Sequence, residues 1–218
     1  MKIQGAILDM DGTLLDSLSI WDTIADTYLE QQGIQPEPGL ADTIKDLSMK
    51  QAAEYFQTRY GLQKSEEEII KGINRLLEDF YLHTAPLKPG AGKLLEFLKE
   101  KNIRLVLATA TDRYLAEAAL KRCGVLDAFE KIRTCSEVGY GKDEPQIFEE
   151  AARLLGTDRM NTLVFEDSLY AMQTAKQAGF PVAAVFESHE PDWNKVCQTA
   201  DLCLQDLNHL EQLQEALT

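Results

Sequence analysis

Hydrophobic positions recur along this chain with two different periods, and the change from one to the other marks its organisation. A mostly apolar run from Ile3 to Leu8 stops abruptly at two carboxylates, Asp9 and Asp11. Such a run, cut off by acidic residues, predicts a buried strand that delivers charge to the carboxyl edge of a sheet. From Ser17 to about Thr84 the spacing becomes helical. Ile20, Trp21, Ile24, Tyr28 and Leu29 define an amphipathic helix that Gly33 closes, and Pro36, Pro38 and Gly39 turn the chain. Leu40 to Leu47 and Met49 to Tyr60 read as two shorter helices separated near Ser48, with Gly61 as the stop. Ser65 and Glu68 then form a capping box ahead of a helix whose apolar face carries Ile69, Ile70, Ile73, Leu76, Leu77 and Phe80.

From Pro86 helices and strands alternate. Pro89-Gly90 opens a helix to about Lys101, and Ile103 to Ala108 is a short apolar run suited to a buried parallel strand. Further strands are expected at Ile132 to Cys135, Thr162 to Phe165 and Val182 to Phe186. The helices between them are capped by Asp112, opened by Asp143-Glu144-Pro145 or capped by Ser168, and a tail follows with helices near Asp192 and Leu207. Strands joined by helices of this length mean βαβ units. The expected fold is α/β, a doubly wound parallel Rossmann-like sheet with a small all-helical cap domain inserted after strand one. The core takes residues 1–15 and 87–218 and the cap 16–86, with hinges near Leu15-Asp16 and Thr84 to Pro89.

Composition narrows the possibilities. The chain has 218 residues, 44% of them hydrophobic, enough for a full core with a second small lobe. No stretch approaches the ~20 apolar residues of a membrane span, and Met1-Lys2-Ile3 leads into the first strand without a cleavable apolar region. A cytoplasmic protein without membrane partners is expected, and a monomer is compatible with everything above. The formal charge of -14 argues against nucleic acid, whose binding depends on clustered Lys and Arg. The four cysteines, Cys123, Cys135, Cys197 and Cys203, form no C-x-x-C pair and predict reduced thiols rather than a zinc site or a disulfide framework. His83, His189 and His209 are scattered and show no metal-binding spacing.

In a sheet of this kind ligands bind beyond the carboxyl ends of the strands. Those positions hold Asp9 and Asp11 after strand one, Thr109 after strand two, Lys142 after strand three, and Glu166 and Asp167 after strand four. Carboxylates gathered on one edge repel unless a cation joins them, and an all-oxygen set suits Mg2+. Thr109 and Lys142 remain as donors toward an anion, and a phosphoryl group is the expected one. Thr111 is an alternative hydroxyl two residues from Thr109, which is favoured because it follows the strand directly. A carboxylate can attack phosphorus while a neighbouring carboxyl moves the proton, roles that Asp9 and Asp11 fit. An EF-hand fails because Gly12 comes too early and no glutamate closes the loop, and Gly139-Tyr140-Gly141-Lys142 lacks the features of a Walker A loop.

The segments Asp9-Met10-Asp11-Gly12-Thr13-Leu14-Leu15-Asp16-Ser17, Thr109, Lys142-x-x-Pro145 and Glu166-Asp167-Ser168 together resemble the four motifs of the haloacid dehalogenase-like hydrolase superfamily, in its phosphatase branch with a helical cap. The resemblance spans essentially the whole chain. It implies a Mg2+-dependent phosphohydrolase acting on a small phosphorylated metabolite through an aspartyl-phosphate, with Asp9 as nucleophile and Asp11 as general acid and base. Thr109 and Lys142 hold the phosphoryl oxygens, with Met10 and Ala110 completing the phosphate-binding set. Asp9, the Asp11 backbone carbonyl and Asp167 hold the metal, and Glu166 joins directly or through water. An aspartate at position 11 separates phosphatases from dehalogenases, whose halide leaving group needs no proton. Ala171 stands where similar proteins often carry glycine, without loss of a functional group. Sugar-phosphate mutases of the family place a histidine near the position of Trp21 and an arginine near Lys45-Asp46, so an isomerase is the disfavoured alternative, beside a non-catalytic binding protein on the same scaffold. Trp21, Tyr28, Met49 and Lys50 are the cap candidates for substrate contact, against core packing for the aromatics and a solvated charge for the lysine.

Overall fold

The computed structural model describes residues 2–44 and 49–217. It begins with strand β1 (Gly5–Leu8), followed by helices α1 (Ile20–Gln31), α2 (Leu40–Ile44), α3 (Met49–Tyr60) and α4 (Glu66–His83). Next come α5 (Ala91–Glu100), β2 (Arg104–Thr109), α6 (Arg113–Arg122), β3 (Lys131–Thr134), α7 (Cys135–Val138) and α8 (Gln146–Leu155). The chain continues through β4 (Thr162–Glu166), α9 (Leu169–Gln177), β5 (Val182–Val185), α10 (Trp193–Thr199), β6 (Leu202–Leu204) and α11 (Glu211–Leu217).

The strands form one parallel sheet in the order β3-β2-β1-β4-β5-β6. From β1 the chain moves outward to β3, then returns to β4 and moves outward the other way, so the switch point falls between β1 and β4. Every residue of β1, β4 and β5 is buried, as parallel strands covered on both faces require. Ile7, Val106, Val164 and Val182 share a core cluster with Ile147, Phe148, Ala151 and Leu155 of α8 and with Met172 of α9. The apolar positions of α8 recur at helical spacing, which lays one continuous stripe on the sheet.

The chain divides into two compact units, Met1–Ser17 with Ala85–Thr218, and Leu18–Thr84. The second has its own core, in which Tyr28 and Leu29 of α1 meet Phe56 of α3 and Ile69 and Ile73 of α4. The rings of Tyr28 and Phe56 stack with centroids 6.2 Å apart. The capping box of α4 is formed: Ser65 Oγ accepts from the Glu68 amide at 3.2 Å, and Glu68 Oε2 accepts from the Ser65 amide at 2.8 Å. The expected helix end at 45–47, the break at Ser48 and the Lys45-Asp46 pair lie outside the described residues.

Several expectations change. The sheet has a sixth strand, β6, absent from the pattern because only Leu204 of its three residues is buried. Cys135, expected in a strand, starts α7, because Thr134 caps that turn and Glu137 bonds back to the Thr134 amide at 3.2 Å. The last helix begins at Glu211, and Leu207 is buried in the turn before it. Asp112 and Ser168 stand at helix starts without capping them: Asp112 Oδ1 accepts from Ser136 Oγ at 3.0 Å, and Ser168 Oγ donates to Glu166 Oε2 at 3.3 Å. The expectation of four reduced thiols is also corrected. Cys197 and Cys203 form a disulfide, leaving Cys123 and Cys135 free. The bridge follows from α10 turning back beside β6, which brings the two Cα atoms to 5.3 Å, within bridging range. No helix among the described residues is long and apolar enough to cross a membrane.

Candidate active site

The register of β1 against β4 builds the centre of the site. Leu8 lies opposite Phe165, and the Asp9 amide donates to the Phe165 carbonyl at 3.0 Å, so Asp9 leaves β1 where Glu166 ends β4 and Asp167 follows. An oxygen from each of Asp9, Glu166 and Asp167 lies within 4.8 Å of the other two, and all three residues are buried. Lys142 arrives from the loop between α7 and α8. Its Nζ donates to Asp9 Oδ1 and, at 2.5 Å, to Glu166 Oε1, and the side chain is only 5% exposed.

A tight turn follows Asp9. The Met10 carbonyl accepts from the amides of Leu14 and Leu15 at 2.9 and 2.8 Å, and Gly12 takes a φ of 81°, a conformation that glycine adopts without strain. The turn aims Thr13 at the carboxylate cluster, where its Oγ1 donates to Asp167 Oδ1 at 3.0 Å. The Asp11 carboxyl is gripped from both sides, by Ser17 Oγ on Oδ1 at 2.7 Å and by Thr111 Oγ1 on Oδ2 at 2.6 Å. Thr109 is fully buried and its Oγ1 accepts from the Thr111 amide at 3.0 Å, with the exposed Ala110 between them. The two threonines therefore divide the work: one hydroxyl shapes the loop after β2, the other reaches Asp11.

Burial and charge set the electrostatics. Burial opposes the charge of Lys142, but the Asp9 and Glu166 carboxylates more than offset it and hold the ammonium protonated well above its ordinary range. The Asp9 carboxyl is pushed well up, first by burial, with Lys142 offsetting part and Glu166, Asp167 and Asp11 adding to the rise. Asp167 is raised to about 7, again by burial and then by Glu166, against the pull of Lys142 and the Thr13 hydroxyl. Carboxylates thus outnumber the cation among them, and both rises signal a place for further positive charge. Buried oxygens only, three of them converging, fit a hard divalent cation such as Mg2+.

The remaining candidates belong to the helical unit. Trp21 is 48% exposed, Met49 packs partly buried against the helical core, and Lys50 is exposed with Glu66 Oε2 at 3.7 Å. Tyr28 takes the core-packing alternative: it is 2% exposed, and its hydroxyl finds no hydrogen-bond partner among the described residues. Three residues gained a place that their sequence positions did not announce, namely Thr13, Ser17 and Lys88, whose Nζ donates to the Gly12 carbonyl at 2.5 Å, while Thr111, the alternative to Thr109, is the hydroxyl that reaches Asp11. Thr13 and Ser17 lie in the opening motif, and a short hydroxyl beside a tight turn is a recognisable candidate for local bonding. Lys88 carries no such signal.

The sequence matches the haloacid dehalogenase-like hydrolase family over residues 3–179. Hexitol phosphatase A of Escherichia coli (strain K12) is 30% identical over 213 residues, covering 96% of this chain and 94% of that protein. Hexitol phosphatase B of the same strain is 27% identical over 180 residues, 81% of each chain. Among solved structures, that of a putative beta-phosphoglucomutase from Thermotoga maritima superposes with a TM-score of 0.88 at 22% identity, covering 99% of this chain and 100% of that one, a likeness of fold. The chain belongs to the haloacid dehalogenase-like hydrolase family. Within it, the chain falls in the phosphatase branch.

Proposed function

We propose that this protein is a Mg2+-dependent phosphohydrolase that cleaves a small phosphorylated metabolite through an aspartyl-phosphate on Asp9. The observation that carries this reading is Lys142 bridging Asp9 and Glu166 beside Asp167, with Asp11 held one turn away by two hydroxyls. Asp9, Asp167 and the Asp11 backbone carbonyl would hold Mg2+, with Glu166 as a further ligand, direct or through water. When bound there, the metal supplies the positive charge that the carboxylates lack and neutralises the phosphoryl oxygens. Asp9 forms a bond to phosphorus as the bond to the leaving oxygen breaks, and Asp11 gives its proton to that oxygen. Asp11 then takes a proton from water, the resulting hydroxide bonds to phosphorus, and the Asp9 oxygen leaves, returning the carboxylate and releasing phosphate. Lys142 and Thr109, with Met10 and Ala110 beside them, hold the transferring group.

Leaving-group selection is assigned to the helical unit, with Trp21, Met49 and Lys50 as the residues to change first. A cytoplasmic site of action is part of the same reading. The test is a Mg2+-supplemented screen of phosphorylated metabolites that reports free phosphate, with a hexose 1-phosphate included. Release of phosphate that falls by roughly three orders of magnitude or more in Asp9→Asn is expected. Full turnover in a folded Asp9→Asn variant would sink the mechanism, and a hexose 6-phosphate formed in place of free phosphate would make the protein a mutase.

A further inference from the structure

The core unit holds a second lysine–carboxylate cluster, a half-buried lysine on a buried glutamate, that the reaction above leaves unused. Lys88 Nζ donates to three acceptors, the Gly12 carbonyl at 2.5 Å, the Phe186 carbonyl at 2.5 Å and Glu187 Oε2 at 2.7 Å. An ammonium has three N–H groups, so all are engaged. The Lys88 side chain is 12% exposed and that of Glu187 4%. The other oxygen of Glu187 is also saturated, accepting from the His189 amide at 3.1 Å and from Ser188 Oγ at 3.1 Å, with His189 Nδ1 at 2.7 Å. Although burial raises the Glu187 carboxyl, these bonds bring it down to about 2.

Two of the three carbonyl and carboxylate partners are anchored independently. The Phe186 amide donates to Leu204 at 3.0 Å, continuing the β5–β6 ladder, and its ring stands edge-on to Trp193 at 5.1 Å. The backbone of Lys88 is fixed too, since its amide donates to Leu14 at 2.8 Å and residues 14–16 pair with 86–88 about an antiparallel Leu15–Leu87 bridge. The third partner is Gly12, which has the widest backbone freedom of any residue; its amide donates to the Leu15 carbonyl at 3.0 Å, and Lys88 adds the hold on its carbonyl, in the peptide that leads to Thr13. Gly12 stands between Asp11 and Thr13, the residue bonded to Asp167. A turn of the Gly12 peptide moves the Thr13 backbone directly and strains the two hydroxyl bonds that aim Asp11.

We propose that Lys88, braced by Glu187, is a positioning residue that fixes the Gly12 peptide and so the direction of the Asp11 carboxyl and of the Thr13–Asp167 hydrogen bond. This rests on the reading of Asp11 as general acid and base. Because Asp11 gives a proton to the leaving oxygen, misdirecting it harms poor leaving groups more than good ones. A general loss of folding or of metal affinity harms both alike.

The experiment compares kcat/KM of the full chain with Mg2+ on p-nitrophenyl phosphate, whose leaving group needs little protonation, and on the alkyl phosphate that the wild type turns over best. Lys88→Met should lower the alkyl value about tenfold beyond any fall on the aryl ester, within the ~10²–10⁴-fold that general acid–base catalysis supplies. The double variant Lys88→Met/Glu187→Gln removes the clamp without leaving a buried carboxylate unpaired, and should show the same pattern if the single variant folds poorly. Hydrogen exchange of the amides at Gly12 and Leu14 is read in parallel and should quicken in the double variant while those of β1 stay protected. Equal losses on the two esters, or turn amides exchanging at the wild-type rate, overturn the assignment. A wild type without turnover on either ester would instead remove the phosphatase reading, and the exchange arm alone would then decide whether Lys88 holds the turn.

Discussion

Thr13 shows how much of a carboxylate's behaviour is set by a neighbour that does no chemistry. Its hydroxyl is the side-chain donor to Asp167 Oδ1, it is fully buried, and it offsets part of the rise that burial imposes on that carboxyl. Thr13→Val keeps the shape and removes the donor. Outer partners of ligating carboxylates typically contribute ~10–100-fold in metal affinity, so the variant should need Mg2+ at concentrations higher by that factor for half-maximal activation, with kcat at saturating Mg2+ lowered far less. An unchanged Mg2+ titration would show that Asp167 needs no help from Thr13. At this scale the sequence revealed the charged members of the site and not their supports. Asp9, Asp11, Lys142, Glu166 and Asp167 stand out because charge placed where an apolar strand ends is costly to bury unless a partner of opposite charge meets it there. Thr111, visible only as an alternative to Thr109, meets Asp11 through the register of β1 against β2, and Lys88 is an ordinary residue whose partner Gly12 comes near only through the isolated Leu15–Leu87 bridge.

Among the elements, α4 was legible because two independent signals agree, a capping box and an apolar stripe. Gly72 in its middle runs against them, since glycine weakens a helix interior by about 1 kcal/mol relative to alanine. Packing supplies the reason. A Cβ at Gly72 would lie 2.4 Å from Tyr28 Cε2, in a ring that is 2% exposed and stacked on Phe56. Overpacking of a filled core costs about 1–3 kcal/mol, more than the propensity gain. Gly72→Ala should therefore lower stability by roughly 1 kcal/mol in urea unfolding, where propensity alone predicts a gain. A more stable variant would mean that the ring moves aside freely. In contrast, β6 was illegible for want of length: three residues with one buried carry no period, and the strand exists because β5 offers it an edge. The same short return hid the Cys197–Cys203 bridge.

For the whole molecule, an acidic chain has concentrated more buried carboxylate at one sheet edge than Lys142 can neutralise, and this makes stability, pH and metal interdependent. Asp167, raised to about 7, and Asp9, also raised, bind protons more tightly folded than unfolded. Where the folded state holds more protons than the unfolded one, stability falls as pH rises. For Asp167 the contribution is complete below the ordinary carboxylate range near pH 4 and is lost as pH climbs toward 7, and Asp9, raised in the same direction, contributes with the same sign. Glu187 has the opposite sign, its contribution being present above the ordinary glutamate range and lost only as pH falls toward 2, so it is constant across the same window. Lys142, raised, stays charged throughout. The metal-free protein should therefore melt at a lower temperature at pH 7.5 than at pH 5 by calorimetry. Mg2+ competes with those protons for the carboxylates and stabilises whatever state it binds by mass action. The rise in Tm on adding a fixed Mg2+ concentration should accordingly be larger at pH 7.5 than at pH 5. A metal-free Tm that climbs between these two pH values, or a Mg2+ shift of equal size at both, would mean that the carboxylates at the end of β1 and β4 are not the groups that hold the ion.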